Sequence, residues 1–244
     1  MLKLTSRELT DFFVGTLLGD SYIYRNAFQC KQISKDLINF KFNIINSHIP
    51  DCHPKIMEYE AYIDKKGVHH QKYYQLSTKP HPYFRKLREE FYPEGTKIIP
   101  EKYMRELSPL GYAMWYADDG TTILVGININ RSAKNRRVQF CTDGFSIEEV
   151  QKISKVISAQ YGTTSLVIRN KTMRRIQINT YDAQKFLIDI APYFIKYFPS
   201  LLYKIDMGYR NESLDKRRYV MLEYKNMYLE ISTHPLFIDR LKDR

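Results

Sequence analysis

The chain of 244 residues carries 38 Lys and Arg against 27 Asp and Glu, which gives a formal net charge of +11. Its hydrophobic content of 43% is enough for a sizeable core and excludes wholesale disorder. The positive excess indicates a polyanionic partner. A basic surface of this size favours nucleic acid over a membrane as that partner. The apolar runs are too short to span a bilayer.

The first predicted helix opens with a capping box and closes on an acid. Thr5-x-x-Glu8 precedes apolar residues at helical spacing, and the helix leads into Gly19 and Asp20. Gly15 and Gly19 lie four residues apart, so they form a flat stripe along which the backbone of a second helix can approach closely.

The rest of the first half alternates between strand and helix patterns. Strand-like sequence follows Asp20, and then come an amphipathic helix, two further strands and a closing helix. These elements are predicted at residues 21–33, Lys35–His48, Lys55–Ile63, Lys72–Thr78 and Pro82–Phe91.

The second half repeats this order. Ser108 is the predicted N-cap, and Pro109 the first residue, of a helix that carries small residues at Ala113 and Ala117 and runs to about Asp118. The later elements are predicted at residues 121–142 (strand-like), Ile147–Tyr161 (helix), Ser165–Asn170 and Arg174–Thr180 (strands), and Ala183–Phe194 (helix).

This repetition predicts an α+β fold of two pseudo-symmetric αββαββα halves, each with a four-stranded antiparallel sheet. We place the N-terminal half at residues 1–105 and the C-terminal half at residues 106–207. Residues 208–244 are a C-terminal extension to which the sequence assigns no role.

Alternation along the predicted strands marks one sheet face as polar. Ile176 and Ile178 alternate with Arg175 and Gln177, and Arg, Gln and Asn are side chains that bond phosphates and base edges. A merely solvated face is the alternative. We predict DNA contacts from Gln29, Lys31, Gln75, Arg137, Gln139, Arg175, Gln177 and Asn179.

Two helices that each end on an acid would bring two carboxylates together when packed side by side. Close carboxylates repel unless a cation lies between them, and oxygen-only ligands suit a hard cation such as magnesium. Small-residue spacing alone pairs Asp20 with Asp118, since Asp20 follows Gly19 as Asp118 follows Ala117. Spacing by itself leaves Asp119 open as the other candidate.

Two nine-residue segments, Phe13–Ser21 and Tyr112–Gly120, resemble the motif of the LAGLIDADG homing endonucleases in their single-chain, two-motif form. The pattern S-P-x-x-x-A-x-W-x-x-D-D-G at Ser108–Gly120 is similar to that of the intron-encoded monomeric members, with Met114 as a departure where a small residue is usual. The resemblance implies a monomer whose two sheets form a saddle on DNA. It also implies hydrolysis of both strands of a long, asymmetric double-stranded target, with short 3′ overhangs.

The same resemblance implies the acids of the active site. In the family register the metal-binding acid precedes the final Gly of the motif, which favours Asp119 over Asp118 as the partner of Asp20. Gly19 and Asp118 are then further metal ligands, Asp118 through its backbone carbonyl.

The same resemblance implies a role for two lysines. Lys97 and Lys204 each follow the third helix of their half, where lysines of similar endonucleases polarise water or stabilise the phosphorane charge. Plain surface lysines are the alternative. The implied cofactor is Mg²⁺, with Mn²⁺ as a substitute and Ca²⁺ as an ion that binds without efficient cleavage.

Two other functions compete with DNA cleavage. An RNA-binding intron maturase would use the same saddle on intron RNA, and a DNA-binding regulator would have lost cutting. The presence of both Asp20 and Asp119 beside both lysines favours the endonuclease.

The three cysteines contain no C-x-x-C pair, which argues against a zinc ribbon or a disulfide framework.

The N-terminus enters a helix start at once, so we expect no secretory signal. We expect a reducing intracellular compartment. A mitochondrion or a bacterial or phage-infected cytoplasm is favoured, because heavy use of Lys, Asn, Ile and Tyr hints at an A·T-rich coding sequence.

Overall fold

The computed structural model describes residues 2–65, 67–125, 135–162, 164–169, 173–207 and 222–242. Its helices are α1 (Ser6–Leu18), α2 (Lys35–His48), α3 (Pro82–Phe91), α4 (Pro109–Asp119), α5 (Ile147–Tyr161), α6 (Thr180–Tyr197), α7 (Leu222–Thr233) and α8 (Pro235–Lys242). Short 3-10 turns occupy Pro50–Cys52, Glu101–Tyr103 and Pro199–Lys204.

The strands form two sheets of the same topology. They are β1 (Tyr22–Tyr24), β2 (Ala27–Gln32), β3 (Lys55–Tyr59), β4 (Tyr62–Ile63), β5 (His69–His70), β6 (Tyr73–Ser77), β7 (Gly120–Val125), β8 (Asn135–Cys141), β9 (Thr164–Arg169) and β10 (Met173–Ile178). One sheet has the order β1-β2-β6-β3 and the other β7-β8-β10-β9, with antiparallel pairing throughout. The predicted α+β fold is therefore confirmed. The predicted strand Lys55–Ile63 is divided into β3 and β4, and β4 pairs with β5 in a small hairpin that we did not predict.

Local sequence signals set most helix boundaries. The side chain of Thr5 caps α1 through the predicted capping box, and Ser108 caps α4 with Pro109 as its first residue. The last helix of the second half is longer than predicted, because α6 begins at Thr180 and continues through Pro192 to Tyr197.

The pairing register separates the sheet faces as expected. Lys31 lies opposite Gln75, whereas the neighbouring pair of Cys30 and Leu76 is fully buried against the helices. In the second sheet Gln177 lies opposite Gln139, and the next pair on the other face, Ile176 and Phe140, is fully buried. Each sheet therefore turns its polar candidates away from the core.

Helices α1 and α4 pack against each other at the centre of the molecule. A Cβ placed on Gly15 would lie 2.0 Å from the carbonyl oxygen of Gly111, so the two backbones touch there. The predicted stripe on α1 is correct, but the stripe on α4 was wrong. The residues of α4 nearest to Gly15 and Gly19 are Gly111 and Asp118, rather than Ala113 and Ala117.

A buried acid joins α1 to the start of α4. Asp11 is fully buried, and its carboxylate accepts hydrogen bonds from Arg105 Nη2 at 2.7 Å and from the backbone N–H of Ser108 at 2.9 Å. The halves are thus tied at the N-terminal end of α4 as well as along the helix contact.

The C-terminal helices pack on the second half, α7 against α6 and α8 against the 3-10 turn Pro199–Lys204. The hydroxyl of Tyr224 in α7 accepts a hydrogen bond from the backbone N–H of Met207 at 3.1 Å. Residues 208–221 of the predicted extension and residues 126–134 of the predicted strand region lie outside the described residues. None of the helices in the described ranges is long and apolar enough to span a bilayer.

Candidate active site

The predicted acids lie where the central helices give way to the sheets. Asp20 follows the end of α1 and is exposed, just before β1, whereas Asp119 is the last residue of α4 and directly precedes β7. Since α1 and α4 pack together, both acids lie at the same end of the helix pair. An acid from each half therefore lies at this end of the pair, close enough for the charge of Asp20 to act on Asp119.

The carboxylate of Asp118 is turned into the protein. Its side chain is fully buried, and its two oxygens accept hydrogen bonds from Lys41 Nζ at 2.7 and 2.8 Å. Gln32 Nε2 donates a further bond at 2.8 Å. Burial opposes the charge on Lys41, but Asp118 together with Cys30 and Asp20 outweighs it, so the pKa of Lys41 lies above its ordinary value. The carboxylate of Asp118 is therefore already paired, and its backbone carbonyl accepts a hydrogen bond from Lys204 Nζ at 3.0 Å.

Asp119 sits in an environment that disfavours its negative charge. Burial, followed by the nearby carboxylates of Asp20 and Asp118, raises the pKa of Asp119 to about 7. A bound hard cation would reduce the repulsion between carboxylates that lie this close together. The donor set therefore fits a divalent ion between Asp20 and Asp119.

Each of the two predicted lysines binds two backbone carbonyls near the acid of its half. Lys97 Nζ donates to the carbonyl oxygens of Gly19 and Ser21, each at 3.0 Å, and Lys204 Nζ donates to those of Ala117 at 2.6 Å and Asp118 at 3.0 Å. In each half a lysine therefore binds the carbonyl directly before an acid, that of Gly19 before Asp20 and that of Asp118 before Asp119.

Neither lysine is a plain surface side chain. Burial lowers the pKa of Lys97 to about 8, although Asp119, Asp118 and Asp20 pull in the opposite direction. Burial likewise lowers the pKa of Lys204. Both amines therefore lose their proton at a lower pH than the amine of an exposed lysine does.

Each lysine-bearing segment is tied to the other half of the molecule. The backbone N–H of Ile99, two residues after Lys97, donates to the carboxylate of Glu149 in α5 at 2.6 Å. The backbone N–H of Ser200, ahead of Lys204, donates to the carboxylate of Asp36 in α2 at 2.8 Å. These crossed bonds hold the two halves, and hence the two lysines, in register.

Side-chain clusters alone do not complete a metal site. Across the described ranges, no group of three or more His, Cys, Asp or Glu side chains is placed to hold an ion. The ligands on offer are two carboxylates, Asp20 and Asp119, with the carbonyls of Gly19 and Asp118. Such a set leaves positions for water and for a phosphate oxygen.

A cavity of about 430 Å³ joins Asp20 to the polar face of the first sheet. Asp20, Asp118 and Lys204 line one side, and Lys31 and Tyr73 of the sheet line another. A polyanion lying on this face would therefore reach Asp20 directly.

The DNA-contact candidates of the second sheet differ in their exposure and in their contacts with other side chains. Gln177 is only 8% exposed and donates to Gln139 at 3.0 Å, while Arg137 donates to Gln177 at 3.4 Å. Arg175 is held by Asp143 at 2.8 Å. Gln177 thus orients Gln139 and Arg137 through hydrogen bonds. Arg175 would have to break its ion pair with Asp143 before it could bind a ligand.

One candidate does not lie on a strand. Asn179 follows the end of β10 and is the N-cap residue of α6, because the strand ends at Ile178. The predicted strand position of Asn179 was therefore wrong. In the first sheet Gln29, Lys31 and Gln75 all lie on the polar face.

Sequence reasoning missed Lys41 and Gln32. Lys41 lies four residues from both Leu37 and Ile45, which are buried on the inner side of α2. A lone lysine inside an apolar helical stripe is the signal that would have identified a buried ion pair.

Comparison with known proteins gives one consistent result. The model of the LAGLIDADG DNA endonuclease family matches residues 10–186. Cytochrome b mRNA maturase bI2 of Debaryomyces hansenii is 25% identical over 83% of this chain and 75% of its own length. "Probable intron-encoded endonuclease 1" of Wickerhamomyces canadensis is 25% identical over 82% of this chain and 84% of its own. The solved structure of the homing endonuclease I-WcaI bound to its DNA recognition sequence has the same fold. Its TM-score is 0.69 and its identity 22%, over 85% of this chain and 90% of that one.

Proposed function

Because the chain belongs to the LAGLIDADG DNA endonuclease family, we propose that it is a monomeric, magnesium-dependent enzyme that cuts both strands of a long, asymmetric DNA site. The observation that supports this proposal is that Asp20 and Asp119 lie at the same end of the helix pair, each beside a half-buried lysine, with Asp20 next to a polar sheet face. Mn²⁺ is expected to substitute for Mg²⁺, and Ca²⁺ to support binding without efficient cutting.

The residues present suit phosphodiester hydrolysis. Asp20 and Asp119 would hold the divalent ions, which when bound supply charge neutralisation of the phosphate and of the leaving oxygen. Lys97 and Lys204 lie against the carbonyls beside the acids, where a cation stabilises charge that develops on the phosphate. The pseudo-two-fold relation of the lysines gives one cutting centre for each strand, which supports a double-strand break with short 3′ overhangs.

Recognition is assigned to the two polar sheet faces. The formal charge of +11 supplies the electrostatic attraction, and Gln, Arg and Lys side chains supply contacts to bases and phosphates. Because the two sheets carry different side chains, the site need not be palindromic.

The proposed function is tested with a supercoiled plasmid that carries the uninterrupted junction of the host gene, or a site selected from a randomised duplex library. The purified chain is expected to convert the plasmid to a linear product in Mg²⁺ and to leave a plasmid without the site intact. A supercoiled plasmid that stays uncut at every selected site contradicts the proposal.

The requirement for magnesium is expected to depend on pH. Asp119 has a raised pKa of about 7, so a proton competes with the ion below that pH and not above it. Between pH 6 and pH 8 the half-saturating Mg²⁺ concentration for cleavage should fall by about tenfold, as the ionised fraction of Asp119 rises. Rates at saturating Mg²⁺, measured in parallel, separate this effect from titration of the lysines. A half-saturating concentration that does not change across this range contradicts the assignment.

The polar sheet faces are tested by Lys31→Ala and Gln139→Ala. A lost base contact costs about 1–3 kcal/mol and relaxes preference at one position, whereas a lost phosphate contact weakens all sequences alike. Binding to a set of single-base site variants distinguishes the two. Lys86→Ala, an exposed lysine on α3, is the matched control. If neither sheet variant differs from that control, the polar faces do not bind DNA.

An intron maturase is the second candidate, because a maturase is among the relatives that match most of the chain. Its substrate would be intron RNA on the same surface. The two candidates make opposite predictions for competition between duplex DNA and intron RNA.

A further inference from the structure

A buried lysine lies directly beneath the candidate active site and has no part in the proposed hydrolysis. Lys41 of α2 is fully buried, in the first half of the chain. Its partner, Asp118, belongs to α4 of the second half and lies at 2.7 Å. The ion pair therefore crosses between the halves at the point where the two central helices end.

Both acceptor groups of Asp118, its carboxylate and its backbone carbonyl, accept hydrogen bonds. Its carboxylate accepts from Lys41 and Gln32, and its backbone carbonyl accepts from Lys204 at 3.0 Å. The next residue is Asp119. A rearrangement of the Asp118 side chain that shifts its backbone would therefore move a carbonyl and a carboxylate that the proposed function uses.

The pair exists on one side of the pseudo-two-fold only. Gly19 accepts from Lys97 as Asp118 accepts from Lys204, but Gly19 has no side chain that needs a counter-charge. Lys41 is the seventh residue after the N-cap of α2, and the seventh residue after the N-cap of α5 is the fully buried Ile153. A lysine thus occurs where the acid occurs, and an apolar residue where the glycine occurs.

An unpaired charge at either position would disturb the site. Without Lys41, Asp118 would add a third negative charge beside Asp20 and Asp119, in surroundings that exclude water. Its carboxylate would gain by turning toward solvent or toward a bound cation, which would displace Asp119.

From these contacts we propose that Lys41 is a positioning residue for the cutting centre formed by the second motif. It holds the carboxylate of Asp118 out of the metal site and thereby fixes the Asp118 carbonyl and Asp119 for one of the two strand cuts. The inference rests on the proposed function, since it concerns the geometry of that same site.

The test uses Lys41→Met, Asp118→Asn and the double variant on a supercoiled plasmid with one target site. One cut yields a nicked circle and two cuts a linear molecule, so the ratio of the two products reports how far the second cut lags behind the first. This ratio does not depend on the fraction of enzyme that is folded. Each single variant should slow the second cut by about 10- to 100-fold and accumulate nicked plasmid, because misplacement of a reacting group near 1 Å has effects of that size. The double variant, with no net charge removed from the pair, should restore the linear product.

Two further variants keep the result interpretable. Ile45→Ala removes a buried side chain from the same helix without touching Asp118, so it should lower stability and leave the product ratio unchanged. Gln32→Met removes one hydrogen bond to Asp118 and leaves the ion pair, so it should shift the ratio in the same direction but less.

The outcomes separate the inference from its premise. If the unmodified chain cuts both strands and Lys41→Met gives the same product ratio, the role of Lys41 is overturned and the proposed function stands. The same holds if the double variant nicks as much as Lys41→Met. If the unmodified chain cuts no duplex, the proposed function and this inference fall together.

Discussion

Replacing Asp20 or Asp119 by Asn is expected to reduce cleavage by about a thousandfold or more, because each change removes a carboxylate from the proposed metal site. Binding to the same DNA should be nearly unchanged, since the lost charge repels phosphate. The assay is plasmid cleavage in Mg²⁺ together with a filter or gel measurement of binding. Asp51→Asn, which alters an exposed acid outside the site, is the matched control.

The comparison with position 118 needs the charge-balanced variant. Asp118→Asn alone leaves Lys41 buried without its partner, and breaking such a pair typically lowers stability by about 3–5 kcal/mol. The double variant Lys41→Met/Asp118→Asn avoids this loss and should keep cutting. If Asp119→Asn cuts fully while the double variant is inactive, Asp118 is the metal ligand and the pairing of Asp20 with Asp119 is wrong.

The substitution Gly15→Ala is expected to destabilise the fold strongly for so small a change. The new Cβ would lie 2.0 Å from the Gly111 carbonyl oxygen, which belongs to rigid helix backbone, so α1 and α4 must move apart. Overpacking of this kind lowers the free energy of unfolding by about 1–3 kcal/mol, or more where the backbone cannot yield. Cleavage should fall as well, because the acids lie at the end of this helix pair.

Urea denaturation measures the stability change directly. Gly144→Ala is the matched control, since a Cβ at Gly144 meets nothing within 4 Å. Equal stability of Gly15→Ala and Gly144→Ala would show that the close helix contact does not hold in solution.

Much of the fold follows from local signals in the sequence. Capping residues such as Thr5 and Ser146 fixed helix starts, and strand alternation around Ile176 identified the buried face of a sheet. These predictions succeeded because capping and alternation depend on residues that are close in the chain.

The parts that were wrong depend on contacts between distant residues. The stripe on α4 was assigned to Ala113 and Ala117, but the register of two packed helices is decided by every side chain along the contact, and Gly111 proved to be the point of closest approach. Asn179 was placed on a strand because strand alternation continues into it, although the backbone turns into α6 there.

The sequence predicted the acids and lysines of the candidate site, whose roles stay predictions, but it did not predict the side chains that hold them in place. Asp20, Asp119, Lys97 and Lys204 were named from the motif resemblance, and the structure brings their segments together. Lys41 reaches Asp118 from a helix of the other half, and no local pattern around Asp118 indicates such a partner.

The family assignment alone leaves DNA cleavage and RNA binding as alternatives, because both an intron-encoded endonuclease and a maturase match most of the chain at 25% identity. The site favours cleavage, since RNA binding places no demand on two acids and two lysines at the end of a helix pair. The preference should also be visible in salt. Binding to duplex DNA should weaken with a logarithmic slope of about −0.9 for each phosphate contact.

The most direct test of DNA cleavage by this protein is a two-step assay on one target duplex in the presence of excess intron RNA. The protein is first bound in Ca²⁺, and Mg²⁺ is then added while strand breaks are followed. We expect tight duplex binding that the RNA does not displace, little cutting in Ca²⁺, and double-strand breaks once Mg²⁺ is present. Displacement of the duplex by the RNA, with DNA left uncut in Mg²⁺, would contradict the endonuclease function and identify a maturase.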